Sequence, residues 1–336
     1  MIEVLITHTL SDAELTQLRE ISPDLRITAM PARKVEEIPN DVWLRTQVLY
    51  TDRVLPEPAR APELRWVQFT SAGIDFAVQS DLLKKTDVMA TTISGASAIQ
   101  AGEYILMMLL SLGHRLPDMA ASQGRAEWPR DRGERFMPRE LYRATIGFVG
   151  YGSIGRQAAT LLRPFGATVL AAKRDAMQPQ DPGYAVDGLG DPHGDFFQRL
   201  YPIQALKSML KLVDFAVITL PLTPETRGLI GVEELAVMKT TAFIIDISRG
   251  GIIQHAPLIE ALQEHRLAGA ALDVFPEEPL PPTSPLWRLP NVIITPHIAG
   301  ISPAYNDRAL ALFAENINRY LVGLPLYNLF DPKKGY

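Results

Sequence analysis

The sequence predicts an α/β protein made of two doubly wound parallel sheets. Two observations carry that reading. Short apolar runs alternate with helical segments through the first hundred residues, and from Thr145 the same alternation starts afresh. A chain of 336 residues is also too long for one ordinary core and comfortable as two, at roughly 100–200 residues per domain.

The first set of strands falls at Val4-Leu5-Ile6, Leu25-Arg26-Ile27, Val48-Leu49-Tyr50, Trp66-Val67-Gln68-Phe69 and Val88-Met89-Ala90. A helix follows from Ser97, whose hydroxyl is placed to cap the first amides, and runs apolar on nearly all sides to Gly113. It is expected to join the two domains. Its apolar stretch, residues 104–112, is far shorter than the ~20 residues that cross a bilayer and reads as a buried helix. The second set of strands is expected at 146–149, 169–172, 215–220, 243–247, 270–273 and 292–295. Ser302 then offers a cap and Pro303 a first turn for an amphipathic helix that ends at Leu321, before Gly323, and returns to the first domain. Residues 177–194, rich in Pro, Gly and Asp, read as an exposed loop.

Composition excludes several classes. With 33 basic and 38 acidic residues there is no global positive field for nucleic acid or an anionic membrane. The absence of cysteine removes disulfides, thiolate-held clusters and thiol catalysis. The amino terminus lacks the basic and apolar regions of a secretory signal, so a cytoplasmic location is expected. The histidines, at 8, 114, 193, 255, 265 and 297, show no two-ligand helical spacing, which argues against a zinc mechanism and leaves the metal set empty.

Gly150-Tyr151-Gly152-Ser153-Ile154-Gly155 fits G-x-G-x-x-G directly after a strand and at the opening of a helix. That context identifies a Rossmann-type dinucleotide domain. The first glycine serves the tight turn, the second lets a pyrophosphate approach the backbone, and the third lets helix and strand pack closely. At the end of the next strand, where an acid usually holds the ribose of NAD, the sequence reads Lys173-Arg174. Two cations suit a 2′-phosphate, so NADP(H) is the favoured cofactor and NAD(H) the alternative, with Asp175 able to meet a ribose hydroxyl.

Three later segments lie at expected strand carboxyl ends: Asp246-Ile247-Ser248-Arg249-Gly250-Gly251, Asp273-Val274-Phe275-Pro276-Glu277-Glu278-Pro279-Leu280 and Thr295-Pro296-His297-Ile298-Ala299-Gly300. Following the glycine turn in this order, they resemble the signatures of the D-isomer-specific 2-hydroxyacid dehydrogenases. The resemblance covers most of the chain, including Ser71-Ala72-Gly73-Ile74-Asp75, Ala101-Gly102-Glu103, and Pro221-Leu222-Thr223 through Thr226-Arg227-Gly228.

The resemblance implies hydride transfer between NAD(P)H and a small 2-oxo or 2-hydroxy acid, for example as a glyoxylate/hydroxypyruvate reductase. Arg249 would hold the substrate's oxo and carboxylate oxygens with a permanently charged fork. His297 would exchange the proton, and Glu278, or its neighbour Glu277, would orient the imidazole. Amides around Ser71, Ala72 and Gly73 would receive the substrate carboxylate. The cofactor would meet Gly150, Gly152, Ser153, Ile154, Gly155, Lys173 and Arg174. It would also meet Leu220, Pro221, Thr226, Ile247, Ser248, Arg249, Asp273, His297 and Gly300. Glu103 and Tyr104 receive no catalytic role; Tyr104 stands where the family often has histidine. Trp128 is either a surface anchor or a residue that approaches a partner subunit.

The expected organisation is a smaller, flavodoxin-like substrate domain, residues 1–97 and 300–336, with the dinucleotide domain 98–299 inserted and substrate in the cleft. A homodimer is a further implication of the resemblance. Two other readings remain open: a dinucleotide-sensing corepressor-like binding protein, and an enzyme resembling formate or phosphite dehydrogenase that oxidises its own small anion. Turnover of 2-oxo acids separates them.

Overall fold

The computed structural model describes residues 1–85, 87–332 and 334–335. The chain forms two compact units: Met1–Ala96, Pro182–Tyr184 and Pro303–Tyr336 make one, Ser97–Asp181 and Ala185–Ser302 the other.

The first unit holds a parallel sheet of β1 (Ile2–Ile6), β2 (Leu25–Ala29), β3 (Val48–Thr51), β4 (Trp66–Phe69) and β5 (Met89–Thr91), in the order β2-β1-β3-β4-β5. That is the flavodoxin-like order. Because side chains alternate across a strand, Leu5, Leu49, Val67 and Phe69 enter one apolar cluster while Val4, Ile6, Val48, Tyr50 and Trp66 enter another. The second cluster is closed by Leu310, Phe313 and Ile317 of the helix Tyr305–Leu321. The same helix is pinned by a buried polar network. Asn316 Nδ2 donates to Gln68 Oε1 (3.0 Å), Thr91 Oγ1 donates to the same oxygen (2.8 Å), and Asn316 Oδ1 accepts the Tyr327 amide (2.7 Å).

The second unit holds β6 (Thr145–Val149), β7 (Thr168–Lys173), β8 (Arg199–Pro202), β9 (Phe215–Ile218), β10 (Phe243–Asp246), β11 (Gly269–Leu272) and β12 (Val292–Ile294). All pairs are parallel, in the order β12-β11-β10-β9-β6-β7-β8. The order reverses between β6 and β9, so the connections leaving these two strands part to opposite sides and open a crevice at their carboxyl ends. Helices Ala98–Gly113 and Ser153–Leu162 cover one face of the sheet, with Ile105, Leu109, Ala158 and Leu162 in one cluster with Phe148 and Val217. Gly102 lies at their contact, where a Cβ would stand 3.0 Å from the Gln157 side chain and crowd it. Helices Leu206–Leu210, Val232–Ala236 and His255–Gln263 supply the other face.

Four local expectations need correction. Strand β8 was not foreseen; it is a short edge strand whose residues, Arg199-Leu200-Tyr201-Pro202, carry no apolar run to read. Ser97 precedes its helix as expected, but its backbone (φ −94°, ψ 0°) is not the extended form that a side-chain cap requires, and it makes no capping bond. The last helix starts later than expected, after Ala304 rather than at Ser302-Pro303, again without a side-chain cap. Residues 177–194 lack regular structure, as expected, yet they are not simply exposed. Asp191 is buried and accepts from the Tyr151 hydroxyl (2.8 Å) and the Asp195 and Phe196 amides. Buried Arg156 donates to the carbonyls of Pro179 and Asp191 and lies 3.2 Å from an Asp181 oxygen.

Removing the Asn316 amide should destabilise the first unit by about 1–3 kcal/mol, because it takes a donor from the buried Gln68 oxygen and the acceptor from the half-buried Tyr327 N–H. Chemical denaturation of Asn316→Ala measures this; a change under about 0.5 kcal/mol would mean the network does not hold the helix.

Candidate active site

The glycine turn follows β6 and leads into the helix Ser153–Leu162. Its three glycines are glycines for different reasons. Gly150 has φ +99° and its backbone lies against Thr219 and Leu220, where a Cβ would come within 3.1 Å. Gly155 faces the Gly150 carbonyl, 3.0 Å from where a Cβ would stand. Gly152 has an ordinary extended backbone and nothing within 4 Å of a Cβ. Nothing in the described protein requires a bare backbone there, so the open space fits a group from outside, and no side chain caps the helix start that faces it. The residues present therefore fit a dinucleotide pyrophosphate.

The acid–base pair stands at the far side of the same sheet. Glu278 follows β11 and His297 follows β12. His297 Nδ1 lies 2.8 Å from Glu278 Oε2, while Glu278 Oε1 accepts the Phe275 amide at 2.9 Å. Partial burial raises the Glu278 carboxyl, but its bonds to His297 and Phe275 and the charge of Arg249 bring it below its ordinary value. An ionised carboxylate can only accept, so Nδ1 carries the hydrogen and Nε2 remains for chemistry. Arg249 follows β10; its Nη1 donates to the Ser248 carbonyl (2.8 Å) and its charge reaches Glu278. The next residue, Gly250, lies so close to the chain at Phe275 that a Cβ would fall 1.9 Å from its carbonyl oxygen. That contact ties the arginine turn to the segment that carries Glu278.

A family model for the NAD-binding domain of D-isomer-specific 2-hydroxyacid dehydrogenases matches residues 106–299, more than half of the chain. The chain belongs to the D-isomer-specific 2-hydroxyacid dehydrogenase family. It is 31% identical over 277 residues to glyoxylate/hydroxypyruvate reductase B of Yersinia enterocolitica, covering 82% of this chain and 79% of that protein. It is 29% identical to the D-3-phosphoglycerate dehydrogenase of Methanocaldococcus jannaschii over 96% of this chain, but spans only 58% of that relative's length. Among solved structures, a D-isomer-specific 2-hydroxyacid dehydrogenase from Xanthobacter autotrophicus Py2, in complex with NADPH and MES, matches with a TM-score of 0.80 at 28% identity over 99% of both chains.

In this member of the dehydrogenase family the remaining expected residues are distributed unevenly. Leu220 and Pro221 leave β9 beside the glycine turn, and the Thr226 hydroxyl braces that exit by donating to the Pro221 carbonyl (2.7 Å). Lys173 ends β7, and its ammonium is committed to the carbonyls of Gln178 (2.7 Å) and Gln180 (3.1 Å). Burial and the Arg156 charge lower its pKa. Arg174 is exposed, with a Glu225 oxygen 3.9 Å away. Ile247 and Ser248 are buried ahead of Arg249. Ser248 donates its amide (2.9 Å) and hydroxyl to Asp246, whose pKa burial raises to about 7, with the Asp273 charge adding to the effect. Gly300 lies beside Ser97.

Asp273, expected at the cofactor, is 1% exposed and has both carboxylate oxygens engaged inside the protein: Oδ1 accepts the Ile298 amide and the Thr295 hydroxyl, Oδ2 the Ala299 amide. The sequence assigned Tyr104 no catalytic role and did not single out Thr295. Tyr104 bonds to Thr295, a contact across 191 positions that no local pattern announces. In the other unit, Ser71, Ala72 and Gly73 form the turn after β4, closed by Ser71 Oγ donating to the Gly73 carbonyl (3.0 Å). Trp128 is 84% exposed.

The glycine geometry predicts opposite outcomes for one methyl group. Gly152→Ala should change stability by no more than about 0.5 kcal/mol, whereas Gly250→Ala should lower it by about 2–4 kcal/mol as the chain at Phe275 is displaced. Denaturation of both variants checks this, and equal effects would refute it.

Proposed function

We propose that the chain transfers hydride between NAD(P)H and a small 2-oxo or 2-hydroxy acid. The observation that carries this reading is the Glu278–His297 pair at 2.8 Å, within reach of the Arg249 charge, on a sheet whose glycine turn leaves room for a dinucleotide. When bound, the reduced nicotinamide supplies hydride to the substrate's oxo carbon. Arg249 binds the carboxylate and oxo oxygens and polarises the carbonyl. His297, as imidazolium, gives its Nε2 proton to the developing alkoxide, so the product gains a hydroxyl hydrogen as well as the hydride. Glu278 holds the ring by Nδ1 and stabilises the imidazolium. In oxidation the neutral Nε2 accepts the proton. In the first unit, the turn at Ser71, Ala72 and Gly73 would contribute amides to the substrate carboxylate.

NADPH is the cofactor we favour. The exposed Arg174 suits a 2′-phosphate, because its planar guanidinium can offer paired donors to phosphate oxygens. The similar enzyme from Xanthobacter was found with NADPH. We further propose a homodimer, supported by the exposure of Met107, Leu116, Trp128 and Met137 along one stretch of the second unit. No helix among the described residues is long and apolar enough to cross a membrane, and we place the protein in the cytoplasm, beside a pool of reduced dinucleotide.

The deciding experiment is oxidation of NADPH and NADH with a panel of 2-oxo acids that includes glyoxylate, hydroxypyruvate and pyruvate. His297→Asn should lower kcat by about 10²–10⁴-fold while dinucleotide binding persists. Tight dinucleotide binding without turnover of any acid by the parent would replace this reading with a sensing role. Arg174→Ala should cut the preference for NADPH over NADH by about 10-fold or more; unchanged selectivity would remove Arg174 from the phosphate site.

A further inference from the structure

His297 stands in the left-handed region, with φ +55°. For a side chain with a Cβ this is uncommon and costs on the order of 1–3 kcal/mol, so the surroundings must hold it. Asp273 does so through three successive amides. Its main-chain carbonyl accepts the His297 N–H, Oδ1 accepts Ile298 and Oδ2 accepts Ala299, each at 2.9 Å. The orientation of the Asp273 carboxylate thus sets the turn that aims the imidazole.

That carboxylate is steered in turn. Thr295 Oγ1 donates to Asp273 Oδ1 at 2.6 Å, which uses the hydroxyl's one hydrogen. The Tyr104 hydroxyl, 2.5 Å from the same Thr295 oxygen, must therefore be the donor there. The chain has a single direction, Tyr104 to Thr295 to Asp273, and aligned hydrogen bonds of this kind strengthen one another. Tyr104 is 4% exposed and burial pushes its hydroxyl up to about 12, so it keeps its proton throughout the working range. Its ring is fixed among Ile105, Met108 and the rest of the apolar cluster under the helix Ala98–Gly113. Packing explains the ring but not the hydroxyl, since phenylalanine would fill the same space.

We propose that the Tyr104 hydroxyl is a positioning group for His297, acting through Thr295 and Asp273. It restrains the backbone side of the histidine while Glu278 restrains Nδ1, so the ring is held from two directions. The inference rests on the assignment of His297 as the proton-transfer group.

Tyr104→Phe, Thr295→Val and Thr295→Ser, made in the parent and in His297→Asn, test it with NADPH and glyoxylate or hydroxypyruvate. Tyr104→Phe and Thr295→Val should each lower kcat about 10- to 100-fold, leave the dinucleotide KM unchanged, and have no further effect on the residual rate of His297→Asn. Thr295→Ser should restore the parental rate. In protein without added ligand, Tyr104→Phe should broaden the imidazole NMR signals of His297 and leave those of the other histidines alone. The proposal is overturned by a parental kcat in Tyr104→Phe, by an equal loss in the His297→Asn background, by a change confined to the dinucleotide KM, or by unaltered His297 signals. A parental rate in His297→Asn would instead remove His297 from proton transfer, and this inference with it.

Discussion

A buried carboxylate must be surrounded by donors, and at the end of β11 that requirement shapes the site. Asp273 is almost wholly removed from water, and its oxygens receive the amides of Ile298 and Ala299 and the Thr295 hydroxyl. The chain after β12 folds around it, and the left-handed turn at His297 is the shape that lets successive amides converge on one acid. The neighbouring Asp246 is buried as deeply, but its donors both come from Ser248 and its other oxygen has no partner among the described residues. Burial, with the Asp273 charge adding to it, raises Asp246 to about 7.

The same economy of contacts orders the rest of the sheet edge. Gly250 lets the arginine turn touch the chain at Phe275, and the Phe275 amide in turn fixes the Glu278 carboxylate. Arg249, Glu278 and His297 thus come from three strand ends, joined by the close approach of Gly250 to Phe275 and by the bond between Glu278 and His297. On the opposite flank, Arg156 and Asp191 anchor a long irregular segment to the glycine turn through Tyr151, which explains how so many residues without regular structure keep a defined course. That segment supplies the carbonyls that occupy Lys173.

Both sheets were legible as alternating apolar runs, because a strand buried on both faces must be apolar throughout. The edge strand β8 was not, since its residues, Arg199-Leu200-Tyr201-Pro202, form no apolar run. Ser97 and Ser302 looked like helix caps because residue type is visible in a sequence, whereas the backbone angles that make a cap are not. The glycine turn and the arginine, glutamate and histidine segments were legible because each is a short contiguous pattern at a strand end.

Lys173 and Arg174 looked equivalent in the sequence; only the fold committed the lysine to the Gln178 and Gln180 carbonyls. Tyr104 and Thr295 are separated by 191 positions, and the donors that converge on Asp273 come from a segment more than twenty positions away. The sequence by itself determined which chemical groups stand at the strand ends, because periodicity and local motifs are written in neighbouring residues. Which of those groups remain available, and which are held by distant partners, was decided by the tertiary structure, because hydrogen bonds between remote segments exist only once the chain has brought them together.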